Sequence, residues 1–212
     1  ERHGHPFSFI TEASVNLAED DELLDGMRRA HFRRVFLGIE TPVEASLKEA
    51  QKGQNMRGNL LDSVRRIQNY GMEVMAGFIV GFDNDPLDIF ERQIDFIRKS
   101  AIPLAMVGLL NALPDTQLWK RLDREGRLLG EASGNNTVCT FNFKTRMDPA
   151  VLIKGYQSIM QTIYSPREYY DRALVSLRRT AHQFSEPQRY NVIGGLTSLS
   201  RILFRLGIVD RE

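Results

Sequence analysis

Four short, almost unbroken apolar runs, each followed by an amphipathic helical pattern, constrain this chain more than any other feature. The runs are Phe7 to Glu12, Val35 to Glu40, Val74 to Val80 and Leu104 to Leu110. Near-continuous apolar strands that alternate with helices are parallel strands covered by those helices. The first helix, with Asp20 or Asp21 as N-cap, carries Leu23, Leu24, Met27 and Ala30 on one face. A short helical stretch over Val43 to Lys52 precedes a helix with Leu60, Leu61, Val64 and Ile67. Asp85-Pro86 opens a helix bearing Ile89, Phe90, Ile94 and Ile97. Thr116 caps one bearing Leu118, Trp119 and Leu122 that stops at Gly126. Four such units predict an α/β fold, either an open sheet or half of an eight-stranded TIM-like barrel. In both, chemistry gathers at the C-terminal strand ends.

Beyond Gly126 the pattern changes. Residues 129–146 read as a linker, with Val138 to Phe143 a further strand or an extended segment. Residues 147–212 read as an all-α extension. Asp148-Pro149 opens its first helix, Ser165-Pro166-Arg167-Glu168 has the form of a capping box, and a last helix runs from near Pro187 to Gly207. Arg178, Arg179, Arg201 and Arg205 put too much charge on these helices for complete burial.

The composition excludes several classes. A net charge of +1 gives no basis for bulk electrostatic binding to nucleic acid. No apolar run approaches the ~20 residues of a membrane span. A single cysteine, Cys139, excludes a disulfide framework and a multi-cysteine metal site within these residues, and a reducing cytoplasmic setting is expected. With no activating neighbour in sequence, Cys139 reads as a small packed residue, and His3 and His5 read as solvated. Residue 1 is Glu and a strand begins within a few residues, which predicts a domain boundary and a piece of a longer protein.

The strand-end rule selects the candidate site. Glu12 and Glu40 end the first two strands, where a carboxylate accepts bonds from hydroxyls or an ammonium, or else pairs with a structural Arg or Lys. Gly77 and Gly81 flank an apolar tripeptide; they leave backbone open to a flat ligand, or serve turn geometry alone.

Taken together, EAS at 12–14, GIETP at 38–42 with SLKEAQKGQN at 46–55, GFIVGFDND at 77–85 with DIFERQIDFI at 88–97, and AMVGLLNALPDTQLWKRLDREGR at 105–127 resemble one family. They look like the third to sixth βα units of radical S-adenosylmethionine (SAM) proteins of the cobalamin-binding-domain type. The resemblance covers residues 1–128, and YSPREYYDRA at 164–173 is similar to the helical extension of one subgroup. It implies a SAM-cleaving iron–sulfur enzyme, with cobalamin-dependent methyl transfer as one outcome on a small-molecule substrate. It implies that Glu12 meets the SAM amino group, Glu40 the ribose or methionine moiety, and Lys52 the methionine carboxylate. Lys52 stands where Arg is frequent, so a bidentate fork is lost. Gly77, Ile79 and Gly81 match the motif that packs on adenine, and Leu110 to Ala112 the backbone that bonds its edge.

The departure is the missing CxxxCxxC loop that holds a 4Fe–4S cluster. The expectation is therefore that the cluster, the upstream half of the barrel and a cobalamin domain precede this chain, and that these residues alone are inactive. An exposed sheet edge is expected to dimerise or to be covered by the tail. Two other readings stay open: a stand-alone nucleotide- or phosphate-binding α/β domain, and a non-catalytic interaction module built on the C-terminal helices.

Overall fold

The structure, a computed structural model, describes residues 7–130, 140–181 and 192–205, except the side chains of 192–194 and 202–203. Cys139, His3, His5 and the helix limits expected near Pro187 and Gly207 lie outside these residues.

Four parallel strands form one sheet in sequence order: β1 Phe9–Ala13, β2 Phe32–Glu40, β3 Glu73–Val80 and β4 Ala105–Leu109. Helices α1 Asp21–Arg29, α3 Leu60–Asn69 and α4 Ile89–Ser100 connect them, with a short α2 Glu44–Glu49 before α3. After β4 come α5 Gln117–Arg124, α6 Pro149–Ile163, α7 Pro166–Ala181 and α8 Val192–Phe204. This is a half TIM-like barrel with a helical extension. Among the described residues, no helix is long and apolar enough to cross a membrane.

Alternation along the strands decides what each face does. Val35, Leu37 and Ile39 of β2, Val74, Ala76, Phe78 and Val80 of β3, and Ala105 and Val107 of β4 are buried under the helices. The other face carries Ile10, Glu12, Phe36, Gly38, Met75, Gly77, Ile79 and Met106, and it is bare enough to leave Ile10 59% and Met106 58% exposed. In a closed barrel this face would point inward.

The expected caps hold in part. The Asp20 carboxylate accepts from the Leu23 amide, Thr116 Oγ1 from Trp119, and Asp148 from Ala150 and Val151. Asp85 does not open α4. It turns back and accepts from the Gly81 and Phe82 amides at 2.8 and 3.0 Å, so the helix starts only at Ile89. The Ser165 capping box does not form: Ser165 Oγ donates to the Thr162 carbonyl, and Glu168 leaves the helix start to accept from Arg98 at 2.8 Å. The stretch expected over Val43 to Lys52 breaks after Glu49, where Gln51 takes a φ of 56°, and a 3₁₀ turn follows at Gly53–Met56. Leu23 is 49% exposed, because only Leu24 and Met27 of α1 reach the sheet.

The first helix of the extension packs on the sheet. Leu152, Ile159 and Ile163 of α6 are fully buried in the same apolar cluster as the sheet and α4. The contact is close enough that a Cβ on Gly155 would collide with the Phe90 ring. Helix α7 is fastened by Arg172, which is 3% exposed and donates to the carbonyls of Ile163 at 2.6 Å, Ile102 at 2.9 Å, Glu168 at 3.1 Å and Pro103 at 3.5 Å. Arg179 is half-buried and donates to the Gln68 side chain and the Ser100 carbonyl, at 2.7 and 3.1 Å. Tyr164 of the tail meets the β4 edge, its hydroxyl donating to the Ala105 carbonyl and accepting from its amide.

Gly155→Ala is therefore expected to destabilise the chain by ~2 kcal/mol through overpacking. Phe90→Leu should recover part of that loss in the double variant, since the two sites share one contact. Chemical denaturation of the four proteins measures this cycle.

Candidate functional site

Register places the candidate residues. Glu12 pairs with Phe36 across β1 and β2, and Gly38 pairs with Gly77 across β2 and β3, so Glu12, Gly38 and Gly77 project to the bare face. Glu12 lies two residues short of the Gly38 level, ~7 Å along the strand direction.

Glu40 reaches the same face by a different route. The β2 and β3 register shifts between Gly38 and Glu40, and Glu40 takes a φ of 66°. This left-handed turn folds its carboxylate back over Gly38, where a Cβ would come within 2.8 Å of Oε1. Lys52, delivered by the turn after α2, meets the same oxygen at 2.9 Å. The Glu40 and Lys52 side chains are 15% and 34% exposed, so an acceptor and a donor stand side by side on the open sheet.

The glycine pair divides. Gly77 lies under the Phe36 ring, whose Cζ would be 3.3 Å from a Cβ. Gly81 makes a turn at φ 110°, with Phe141 and Leu110 close to its missing side chain. Ile79 is half-buried on the bare face beside Gly108. Leu110 and Ala112 are buried in a small second cluster with Phe82, Leu122 and Phe143. Both backbone groups of Ala112 are taken by Asn142, its amide at 2.9 Å and its carbonyl at 2.7 Å.

A charged network that sequence reading did not single out borders this site. Asp83, 3% exposed by side chain, receives a two-pronged pair of 2.7 Å bonds from Arg127, with Arg121 at 3.3 Å and Arg146 at 3.5 Å. Glu49 accepts from Arg121 at 2.7 Å and from the Asn84 amide at 3.1 Å, tying α2 and α5 to the loop after β3. Burial pushes the Asp83 carboxyl up, but the Arg127 hydrogen bonds and the charges of Arg127, Arg121 and Arg146 outweigh it and hold it below the usual range. Asp85 goes the other way: burial raises it, in spite of bonds from Ser46, Gly81 and Phe82. The spacing of Asp83 from Arg121 and Arg127 carries no periodic signal, so only the folded loop reveals the pairing.

Among the described residues, no group of three or more His, Cys, Asp or Glu is placed to hold a metal ion, and the whole sequence has one cysteine. The donors present do not fit an iron–sulfur cluster. They do suit an organic ligand with its own charged and hydroxyl groups: a carboxylate acceptor and an ammonium donor on bare, partly apolar strands.

Comparison with known proteins adds to this. Residues 116–212 match a family described as a domain of unknown function (DUF4070). The sequence is 45% identical to an uncharacterized methyltransferase of Synechocystis, over 81% of this chain and 32% of that protein. It is 37% identical to the hopanoid C-2 methylase of Rhodopseudomonas palustris, over 98% of this chain and 40% of that protein. The chain thus spans well under half the length of these two relatives. A solved structure of the cobalamin-dependent S-adenosylmethionine radical enzyme OxsB aligns with 56% of this chain and 17% of its own. That alignment has a TM-score of 0.38 and 18% identity. The sequence relatives support a general link to the methyltransferase-bearing superfamily that the strand-end motifs resemble, and no particular domain assignment.

The Asp83 network gives a pH prediction. A carboxyl held low by folding contributes fully above its unfolded-state value, and that contribution is lost as pH falls through the depressed folded value. Asp83→Asn is expected to cost ~3 kcal/mol at neutral pH, because it strands buried guanidinium charge. The gap in melting temperature between wild type and Asp83→Asn should narrow steadily below pH 4. A gap independent of pH would show that Asp83 is not held ionised.

Proposed function

We propose that this chain is the SAM-binding C-terminal half of a radical SAM barrel, and that the whole protein is a methyltransferase-like enzyme. The observation that carries the proposal is the Glu40–Lys52 pair turned back over Gly38 on the bare face, at 2.9 Å. SAM offers complementary groups, a ribose diol and an ammonium for carboxylates and a carboxylate for an ammonium. In this reading Glu40 accepts from the ribose or methionine end, Lys52 binds the methionine carboxylate, and Glu12, lower on the same face, takes the amino group. Ile79, Gly77 and Phe36 give the adenine an apolar floor.

The relatives' names are the second support, since a methyltransferase and a methylase each share more than a third of their aligned residues with this chain. One cysteine cannot ligate a cluster, so in this reading the iron–sulfur ligands lie in sequence outside these residues, together with the remaining strands and any cobalamin domain. In this reading those strands add at the β1 edge, because the sheet runs in sequence order and Tyr164 of the tail already bonds the β4 edge. The helical extension is less suited to act as a separate interaction module, because α6 is built into the core of the sheet.

Glu40→Ala in the full-length protein is expected to weaken SAM binding by about 10- to 100-fold, the loss of one charge-assisted bond of ~1.5–3 kcal/mol. Equilibrium dialysis with SAM measures it, and an unchanged Kd would sink the proposal. Calorimetry on the 212-residue chain separates the alternative. Micromolar nucleotide affinity there would favour a stand-alone nucleotide-binding domain, whereas half a SAM site predicts none.

A further inference from the structure

We infer that Asn55 and Gly38 are positioning residues that hold the Glu40 carboxylate over the bare face of the sheet in its ligand-receiving orientation. This rests on the SAM-binding reading of that face.

The backbone of Glu40 is in a conformation that a side chain normally avoids, at φ 66°. Such a residue carries a penalty of order 1–2 kcal/mol and persists only where its surroundings over-determine it. The surroundings here are specific. Asn55, 3% exposed, donates from Nδ2 to the Gly38 carbonyl and to the Ile39 carbonyl, at 3.0 Å each. Those are the last two carbonyls before Glu40, where the β2–β3 register slips. The Thr41 amide closes the turn onto the Ile39 carbonyl at 2.8 Å.

Asn55 and Lys52 belong to one tight turn, in which the Asn55 amide donates to the Lys52 carbonyl at 2.9 Å. One end of that turn holds the Glu40 carboxylate and the other holds the backbone that aims it. Asn55 Oδ1 is buried without a hydrogen-bond partner. An unmet buried acceptor costs ~1–3 kcal/mol, so Asn55 is an expensive choice for a residue that only fills space. Its two carbonyl bonds are what it offers in return.

Gly38 completes the device by leaving room. Its φ is not positive, so its backbone does not demand glycine. A Cβ there would stand 2.8 Å from Glu40 Oε1 and 3.3 Å from Lys52 Nζ, displacing the pair. Alanine at 38 would therefore move the carboxylate without touching the bonds that Asn55 makes.

The test is a set of double-mutant cycles on SAM affinity in the full-length protein, read by equilibrium dialysis with thermal melting as a check on folding. Asn55→Ala and Gly38→Ala should each weaken SAM binding by about tenfold, and each should change it by less than about twofold once Glu40→Ala is present. Losses that simply add would show a general effect on the fold and overturn the inference. Single variants with unchanged affinity, beside a Glu40→Ala that binds poorly, would overturn it and leave the SAM reading standing. If Glu40→Ala binds SAM normally, that reading fails and the inference falls with it. Should Asn55→Ala not fold, the Gly38→Ala cycle decides alone.

Discussion

The parallel register of β2 on β3 is the constraint from which the rest follows. It sets Val35, Leu37 and Ile39 beside Val74, Ala76 and Phe78, so one face of the sheet is apolar without interruption and takes the helices. The same register leaves Phe36, Gly38, Met75 and Gly77 on the other face, which the described residues do not cover. A shift of one residue would exchange the two sets. Core and candidate site are therefore two consequences of one pairing. The slip between Gly38 and Glu40 is where that regular pairing breaks, at the candidate site.

The elements were legible from sequence where period and punctuation agreed. β3, α3 and the Asp20, Thr116 and Asp148 caps lie where apolar spacing and capping residues put them. Legibility failed where a polar side chain had a choice of partners. Asp85 before Pro86 has the form of a helix start, yet the amides of the loop behind it are closer in the folded chain. Ser165 and Glu168 have the spacing of a capping box, but Arg98 of α4 offers Glu168 a charged partner from a distant segment. Local propensity was outweighed by tertiary contacts in both cases.

The site was half legible for the same reason. Glu12 and Glu40 stand at strand ends by the topology of any parallel sheet, which sequence reveals. That Glu40 folds back onto Gly38, and that Asn55 fixes the turn, depends on a bulge and a positive φ that neither periodicity nor composition signals. Gly81 illustrates the opposite case. Its conformation at φ 110° and its contacts with Phe141 and Leu110 account for the glycine by turn geometry and packing.

The two charged clusters at the strand ends differ in what they leave unsatisfied, and the difference assigns their roles. Asp83 is enclosed by Arg127, Arg121 and Arg146, and Glu49 by Arg121 and the Asn84 amide, so their charges are spent on joining α2, α5 and the loop after β3. Enclosed pairs of this kind fix a shape. Glu40 and Lys52 make a single 2.9 Å contact on an uncovered face, and each keeps further hydrogen-bonding capacity toward solvent. A ligand with a carboxylate and hydroxyl or ammonium groups can exchange that one contact for several, at little desolvation cost, because the pair is already partly out of water. The Asp83 cluster is closed on itself, and the Glu40 pair is the one left able to take a ligand in the proposed reading. That division is why the proposed site lies on the side of the sheet that the helices leave open.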